Sequence, residues 1–265
     1  MLVDSHCHLN YEGISNDVQN VIDRARKSGV EFLVCICTKL DDVAEICAIA
    51  ESYDNVAYTV GVHPHEAATK TDLNVQTIVD LSKHSKVVGI GETGLDFFYD
   101  NAPRDIQEKY FRTHIKASRE TQLPIIVHSR DADQLMINII TEEQEKGYFP
   151  GVIHCFSSGL GVAEVAVKYG MAISLSGIIT FKNAKKLREI IKKIPIENII
   201  IETDAPFLAP VPKRGKINEP SFIVHTAEKA AEIFNVELPE FHKITTDNFY
   251  RFFAKAKIIK VPSKC

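Results

Sequence analysis

Leu2-Val3-Asp4-Ser5-His6-Cys7-His8 opens the chain, and its reading decides the fold. A short apolar run that leads into imidazoles is a β-strand with ligand-type residues at its end, and alternation sends Asp4, His6 and His8 to one face. The two histidines lie about 7 Å apart at their Cα atoms and can converge on one cation. The same arrangement returns along the chain. Further β-type runs cover Phe32 to Cys37, Val56 to Val62, Val87 to Ile90, Pro124 to Val127, Gly151 to Ile153, Met171 to Leu175 and Ile199 to Ile201. Five of them lead into another ligand-type residue: His63, Glu92, His128, His154 and Asp204.

Between these runs the apolar residues change period. Val18, Val21, Ile22 and Ala25, and again Val43, Ile46, Cys47 and Ala50, fall on one face of a helix. Gly29 and Gly170 stand where helices should stop. Each gap holds one crossover helix, which is the pattern of parallel βαβ units. An open sheet would show the same alternation, so the polar residues decide: in a closed barrel the strand C-termini share one mouth, and residues scattered over the chain become neighbours there. The expected fold is α/β, a (β/α)8 TIM-type barrel forming one domain over residues 1–265. Thr245 to Ala254 reads as a last helix capped by Thr245, with Phe249, Phe252 and Phe253 packed inward.

Of the 265 residues, 45% are hydrophobic and 25% charged, an ordinary globular composition, and a net charge of −4 excludes coating of nucleic acid or anionic membrane by bulk charge. A polyanionic substrate would need a local basic patch. Six cysteines without a leader-like N-terminus read as reduced thiols in the cytoplasm. No apolar stretch approaches the roughly 18 residues of a membrane span.

His6, His8, Glu92, His128, His154 and Asp204 are the candidate metal ligands. Six are too many for one catalytic zinc, which takes about three protein ligands and keeps a position for water. Two cations sharing Glu92 as a bridge would use them all. Paired cations of this kind clamp the attacking and leaving oxygens of a displacement. Imidazole-rich surroundings favour Zn²⁺, Mn²⁺, Co²⁺ or Fe²⁺.

The motifs Asp4-Ser5-His6-Cys7-His8, Gly61-Val62-His63-Pro64-His65, Gly91-Glu92-Thr93-Gly94-Leu95-Asp96, His128-Ser129-Arg130-Asp131-Ala132, His154-Cys155-Phe156-Ser157, Glu202-Thr203-Asp204-Ala205-Pro206 and Asn218-Glu219-Pro220 occur in this order. In them the sequence resembles the TatD-like metal-dependent deoxyribonucleases over nearly its whole length. The resemblance implies one cation site from His6, His8, Glu92 and Asp204, a second from Glu92, His128 and His154, and Mg²⁺-dependent activity. It also implies an exonuclease acting on nucleic acid, and that His63 and His65 contact substrate. The wider amidohydrolase superfamily, which the chain also resembles, often carries a carboxylated lysine where Glu92 stands.

Phosphodiester hydrolysis by an activated water would make Asp204 and Glu92 the catalytic carboxylates, with Asp204 accepting the proton. Phosphate charge calls for cations on the loops after strands five, seven and eight, where Arg130, Lys182, Lys213, Arg214 and Lys216 lie. Asp96 and Glu219 belong near the site by motif, without an assigned role. Cys7 and Cys155 are expected to point away from their histidine neighbours. Single-stranded ends, of DNA or of RNA, suit a barrel mouth better than a duplex. An ester or amide hydrolase, such as an aminoacyl-tRNA deacylase, would use the same residues, and a non-catalytic binding barrel is the reading from another class. No obligate protein partner is evident.

Overall fold

A computed structural model describes residues 1–69, 73–99 and 101–259. Eight strands run β1 Leu2–Cys7, β2 Val30–Cys35, β3 Val56–Val60, β4 Val87–Asp96, β5 Ile125–Arg130, β6 Gly151–Ile153, β7 Ala172–Leu175 and β8 Ile199–Ile201. The helices are α1 Val18–Lys27, α2 Val43–Glu51, α3 Val75–Ser82, α4 Arg104–Thr121, α5 Asp133–Glu145, α6 Leu160–Lys168, α7 Lys185–Ile191, α8 Ile223–Phe234 and α9 Leu238–Phe252. Every strand pairs in parallel with the next, in the order β1 to β8. The expected (β/α)8 barrel is therefore the fold.

Closure happens at the end that carries the site. Cys7 bridges to Ala205, His8 N donates to Ala205 O at 2.8 Å, and Asp204 N donates to His6 O at 2.9 Å. The bonds that bring the last strand back to the first thus also fix His6, His8 and Asp204 relative to one another.

Strand alternation divides the core in two. Val3, Phe32, Val34, Ile36, Ala57, Val88, Ile126, Val152, Ala172 and Ile200 form one buried cluster, whereas their strand neighbours Leu33, Val56, Val87, Ile125, Ile153, Ile173 and Ile199 pack in a larger cluster with the helices. Phe249 and Phe253 join the inner cluster, and the Phe249 ring lies 5.8 Å from that of Phe32 near the start of β2. One end of the barrel is thereby filled with apolar side chains, and polar residues gather at the other.

Two glycines let strands approach at the mouth. A β-carbon on Gly61 would fall 2.4 Å from Gly91 Cα, and one on Gly94 would fall 2.0 Å from His128 O. Side chains at either position would push β4 away from β3 or β5, and Glu92 away from its neighbours.

The last helix differs from its expected start. It begins at Leu238, with Pro239 in its first turn, and Thr245 sits mid-helix with its hydroxyl donating to Phe241 O at 3.0 Å. Threonine in a helix bonds back to the preceding turn as readily as it caps one, so the residue type misled. Phe249 and Phe253 are buried as expected, while Phe252 is only partly so. Cys7, Cys35, Cys37, Cys47 and Cys155 are free thiols, and Cys265 lies outside the described residues. No helix among the described residues is long and apolar enough to cross a membrane.

His114 on α4 is a fully buried polar pin. Its Nδ1 lies 2.7 Å from Tyr110 O and so carries the proton, and its Nε2 accepts from Val62 N at 3.0 Å, just before His63. Burial pushes its pKa down from 6.5 to about 4. The unfolded chain therefore binds this proton more readily, and stability is lost as pH falls from 6.5 to 4. The loss should reach about 3 kcal/mol. His114→Gln, which keeps one donor and one acceptor, is expected to flatten the melting temperature across this window; an unchanged slope would remove His114 as its source.

Candidate metal centre

Glu92 stands at the centre of the mouth, buried, within β4. Its two oxygens face different groups. Oε2 lies 3.3 Å from His6 Nε2, whereas Oε1 lies 2.8 Å from His154 Nε2, 3.0 Å from His128 Nδ1 and 3.3 Å from His63 Nε2.

On the first side, His6 Nε2 and His8 Nε2 are 3.3 Å apart, and each is 3.5 Å from Asp204 Oδ1. On the second, His128 Nδ1 and His154 Nε2 are 3.3 Å apart. Ligands about 2.1 Å from a cation are separated by about 3.4 Å in a tetrahedron and about 3.0 Å in an octahedron. Both donor groups match these edges, so the residues fit cations at both places, with either coordination.

Hydrogen bonds decide which nitrogens are free to bind. His63 Nδ1 accepts from His65 N at 3.1 Å, which leaves the ring proton on Nε2, facing Glu92. His63 is thus a donor to Glu92 rather than a ligand, and burial lowers its pKa to about 4, keeping it neutral. His128 takes the opposite arrangement: its Nε2 lies 3.0 Å from Asp96 Oδ2, so Nδ1 is turned to Glu92. The same Asp96 oxygen holds His65 Nε2 at 2.9 Å. Burial would raise the Asp96 pKa, but the bond to His128 and the backbone amide of Tyr99 hold it well below the usual range.

His154 is held likewise by Glu202, whose Oε1 lies 3.2 Å from Nδ1 and 2.7 Å from Cys155 N. Carboxylates behind ligating histidines fix the ring and raise its basicity. Burial opposes charge on Glu92, but His154, His63 and His6 outweigh it and hold the carboxyl well below its ordinary pKa. Burial likewise disfavours charged His154, yet Glu92 and Glu202 raise its pKa well above 6.5. Asp204 remains ionised because His8 and His6 override its burial.

His8, His63, Glu92, Asp96, His128, His154 and Asp204 line a cavity of about 720 Å³, together with His65 and Arg130, while Glu202 is buried behind His154. His6 is buried beneath it. Lys182 and Arg214 are exposed and Lys213 partly so, and none lines the cavity; the Arg214 guanidinium packs 4.0 Å from the Phe181 ring, and Lys213 Nζ lies 5.1 Å from the Phe222 ring. Asp4 also leaves the cluster. The β1–β2 register shifts between Asp4 and Cys7, and the Asp4 carboxylate takes Thr203 N at 2.9 Å and Thr203 Oγ1 at 2.5 Å. Glu219 is a scaffold group, paired with Arg24 Nη2 at 2.7 Å.

Cys155 corrects the expectation that it points away. It lies past the end of β6 with a φ of 43°, where alternation no longer applies, and it lines the cavity. Burial raises its thiol pKa well above 9, so it is no thiolate. Glu202 is the residue that sequence reasoning missed, although its place two before Asp204 was a signal.

Cys47, Glu51 and His84 form a further donor group outside the barrel. There Lys86 N donates to His84 Nδ1 at 3.3 Å, leaving the proton on the nitrogen that faces Glu51. That group is a hydrogen-bonded surface cluster.

A (β/α)8 barrel whose strand ends gather four imidazoles around one buried carboxylate defines a metal-dependent barrel hydrolase. The family model described as TatD related DNase matches residues 3–254, and the chain belongs to this family. It is 41% identical to the uncharacterized metal-dependent hydrolase YabD of Bacillus subtilis, over 96% of this chain and 99% of that one. With the uncharacterized metal-dependent hydrolase YcfH of Escherichia coli K12 it shares 38% identity, over 95% of each chain. The crystal structure of YJJV, a TatD homolog from the same bacterium, superposes with a TM-score of 0.88 at 28% identity, covering 96% of this chain and 98% of that one.

Proposed function

We propose that the protein hydrolyses phosphodiester bonds of single-stranded nucleic acid, DNA in the first place, from a free end. In this reading His6, His8 and Asp204 would hold one divalent cation, His128 and His154 would hold another, and Glu92 would serve both. The observation that carries it is the division of the Glu92 oxygens between two donor groups. Once bound, such a pair of cations supplies Lewis acidity toward the ester and brings a water's pKa toward about 7.

The chain's own residues do the rest. Asp204 accepts the water's proton on its carboxylate, which His6 and His8 keep ionised. His63 offers its Nε2 proton toward the cavity floor, and Arg130 brings a planar cationic fork to the rim. Asp96 and Glu202 keep His128 and His154 turned inward. DNA as substrate is supported by the family's description and by Arg130, in a chain of net charge −4.

The cavity lies at the end of a barrel ringed by loops, where a strand terminus enters more easily than an internal segment with two flanks. Linear single-stranded DNA is therefore expected to be degraded at least about tenfold faster than a circle of the same sequence, in initial rates of nucleotide release with the same cation. Equal rates would overturn end dependence but leave a nuclease. Cleavage of neither, with metal-dependent hydrolysis of aminoacyl esters, would move the activity to a deacylase.

A further inference from the structure

The mouth carries aromatic surface that the fold does not need. Phe98, Tyr99, Tyr148 and Phe207 are each more than half exposed, and three of these four stand at the mouth, where Tyr99 and Phe207 line the cavity. Clustering of this kind marks a binding surface rather than the scattered exposure that every protein shows.

The rings form two walls, one beside each donor group on Glu92. Tyr99 lies 5.3 Å from the His65 ring, which shares Asp96 with His128, and Phe98 adjoins it at 4.9 Å. Phe207 lies 6.2 Å from the His8 ring and 6.0 Å from Tyr11, and Tyr11 itself lies flat on His8 at 4.5 Å.

Both walls are anchored although exposed. Phe98 N and Tyr99 N each donate to Asp96 Oδ1 at 3.0 Å, and the Arg130 guanidinium covers both rings at 4.1 and 4.8 Å. Phe207 N donates to Asp204 O at 2.9 Å, and Asn218 Nδ2 donates to Phe207 O at 2.6 Å. Asp96, which orders His128, thus fixes the main chain that carries the first wall, and the Asp204 carbonyl and Asn218 fix the main chain that carries the second, so less freedom is lost when something flat settles on them.

We propose that the two walls are stacking platforms for the nucleobases on either side of the scissile phosphodiester, Phe207 with Tyr11 taking one and Tyr99 with Phe98 the other. The inference rests on the nucleic-acid reading above. Its logic is spatial: a phosphodiester centred on Glu92 places one flanking nucleotide toward each donor group, and each meets its own wall. The polar cavity between the walls breaks up the apolar surface that a protein partner would need. Arg130, stacked on one wall, keeps its charged edge for the backbone beside the base. Stacking accepts every base, so the platforms demand a base without choosing one.

The test uses metal-loaded enzyme and single-stranded oligonucleotides in which one of the two nucleotides flanking the terminal phosphodiester is abasic. For wild type, each abasic position is expected to lower kcat/KM by about tenfold or more, the usual worth of one base on one ring. Phe207→Ala should lose the response at one of the two positions and keep it at the other; Phe98→Ala combined with Tyr99→Ala should do the reverse. Phe207→Leu, which keeps apolar bulk without a flat face, should behave like Phe207→Ala. Wild type that cleaves abasic and normal strands equally, or variants that keep both responses, would overturn the platforms while leaving the nuclease. Failure to cleave any oligonucleotide, with metal-dependent hydrolysis of a small ester in the same sample, would overturn the nuclease reading and the platforms with it.

Discussion

Glu92→Ala is expected to lower hydrolytic turnover by more than about a thousandfold and to remain inactive in excess metal. The bound is set by comparison: loss of a group behind a ligand typically costs about 10- to 100-fold, and Glu92 faces both donor groups directly. Removing it takes one ligand from each and leaves His6, His128 and His154 facing a void. Alanine at His6, His8, His128 or His154 removes one ligand from one group, and each loss should be smaller. The fold should survive, because the Glu92 backbone amide still donates to Cys37 O at 2.8 Å and its side chain belongs to neither apolar cluster. Turnover over a metal titration, with thermal melts beside it, decides the matter. Activity above a tenth of wild type, or a variant unfolded where metal-free wild type is folded, would contradict the bridging role.

The barrel was legible because its strands are short and aliphatic and its helices keep their own period. Gly151–Ile153 and Ile199–Ile201 end where their apolar runs end. β4 and β5 run on past Ile90 and Val127, through Glu92, Thr93, His128 and Ser129, where the apolar pattern has already stopped. Strand ends at a barrel mouth carry functional side chains, so polarity there is a sign of the site and hides the strand. His6, His8, Glu92, His128, His154 and Asp204 could be picked out for the same reason: each is a ligand type in or just beyond a strand, and the barrel topology brings such positions together.

The pairings behind these six were not legible. Asp96 reaches His128 across 32 positions, and Glu202 reaches His154 across 48. Nothing in local period encodes such a pairing, and an acid after a strand reads equally well as a ligand, a cap or a surface charge. His114 lies on a helix with no motif around it. Loop cations were harder still. Lys182, Lys213 and Arg214 were expected at the site together with Arg130, yet of these four only Arg130 lines the cavity: it is the last residue of β5 and not, as expected, a loop residue, and its guanidinium rests on Phe98 and Tyr99.

Glu202→Gln separates positioning from ligation, and its expected result is an about 10- to 100-fold lower affinity for metal, the usual cost of a lost outer carboxylate. Glutamine keeps an oxygen to accept from His154 Nδ1 and Cys155 N, the bonds that Glu202 Oε1 makes at 3.2 and 2.7 Å. Its amide nitrogen would occupy the place of Oε2, which is buried without a hydrogen-bond partner. The geometry of His154 is therefore conserved, and what is lost is the negative charge that makes its imidazole a stronger base. Affinity for a cation should fall while the reacting groups stay in place. At saturating metal, kcat should return to within a few-fold of wild type, in contrast to Glu92→Ala, where no concentration restores it. The measurement is the half-saturating free metal concentration for turnover in each variant, against wild type. An unchanged half-saturation would show that Glu202 does not act through His154, and a kcat that excess metal cannot restore would place Glu202 among the groups that touch the cation or the substrate.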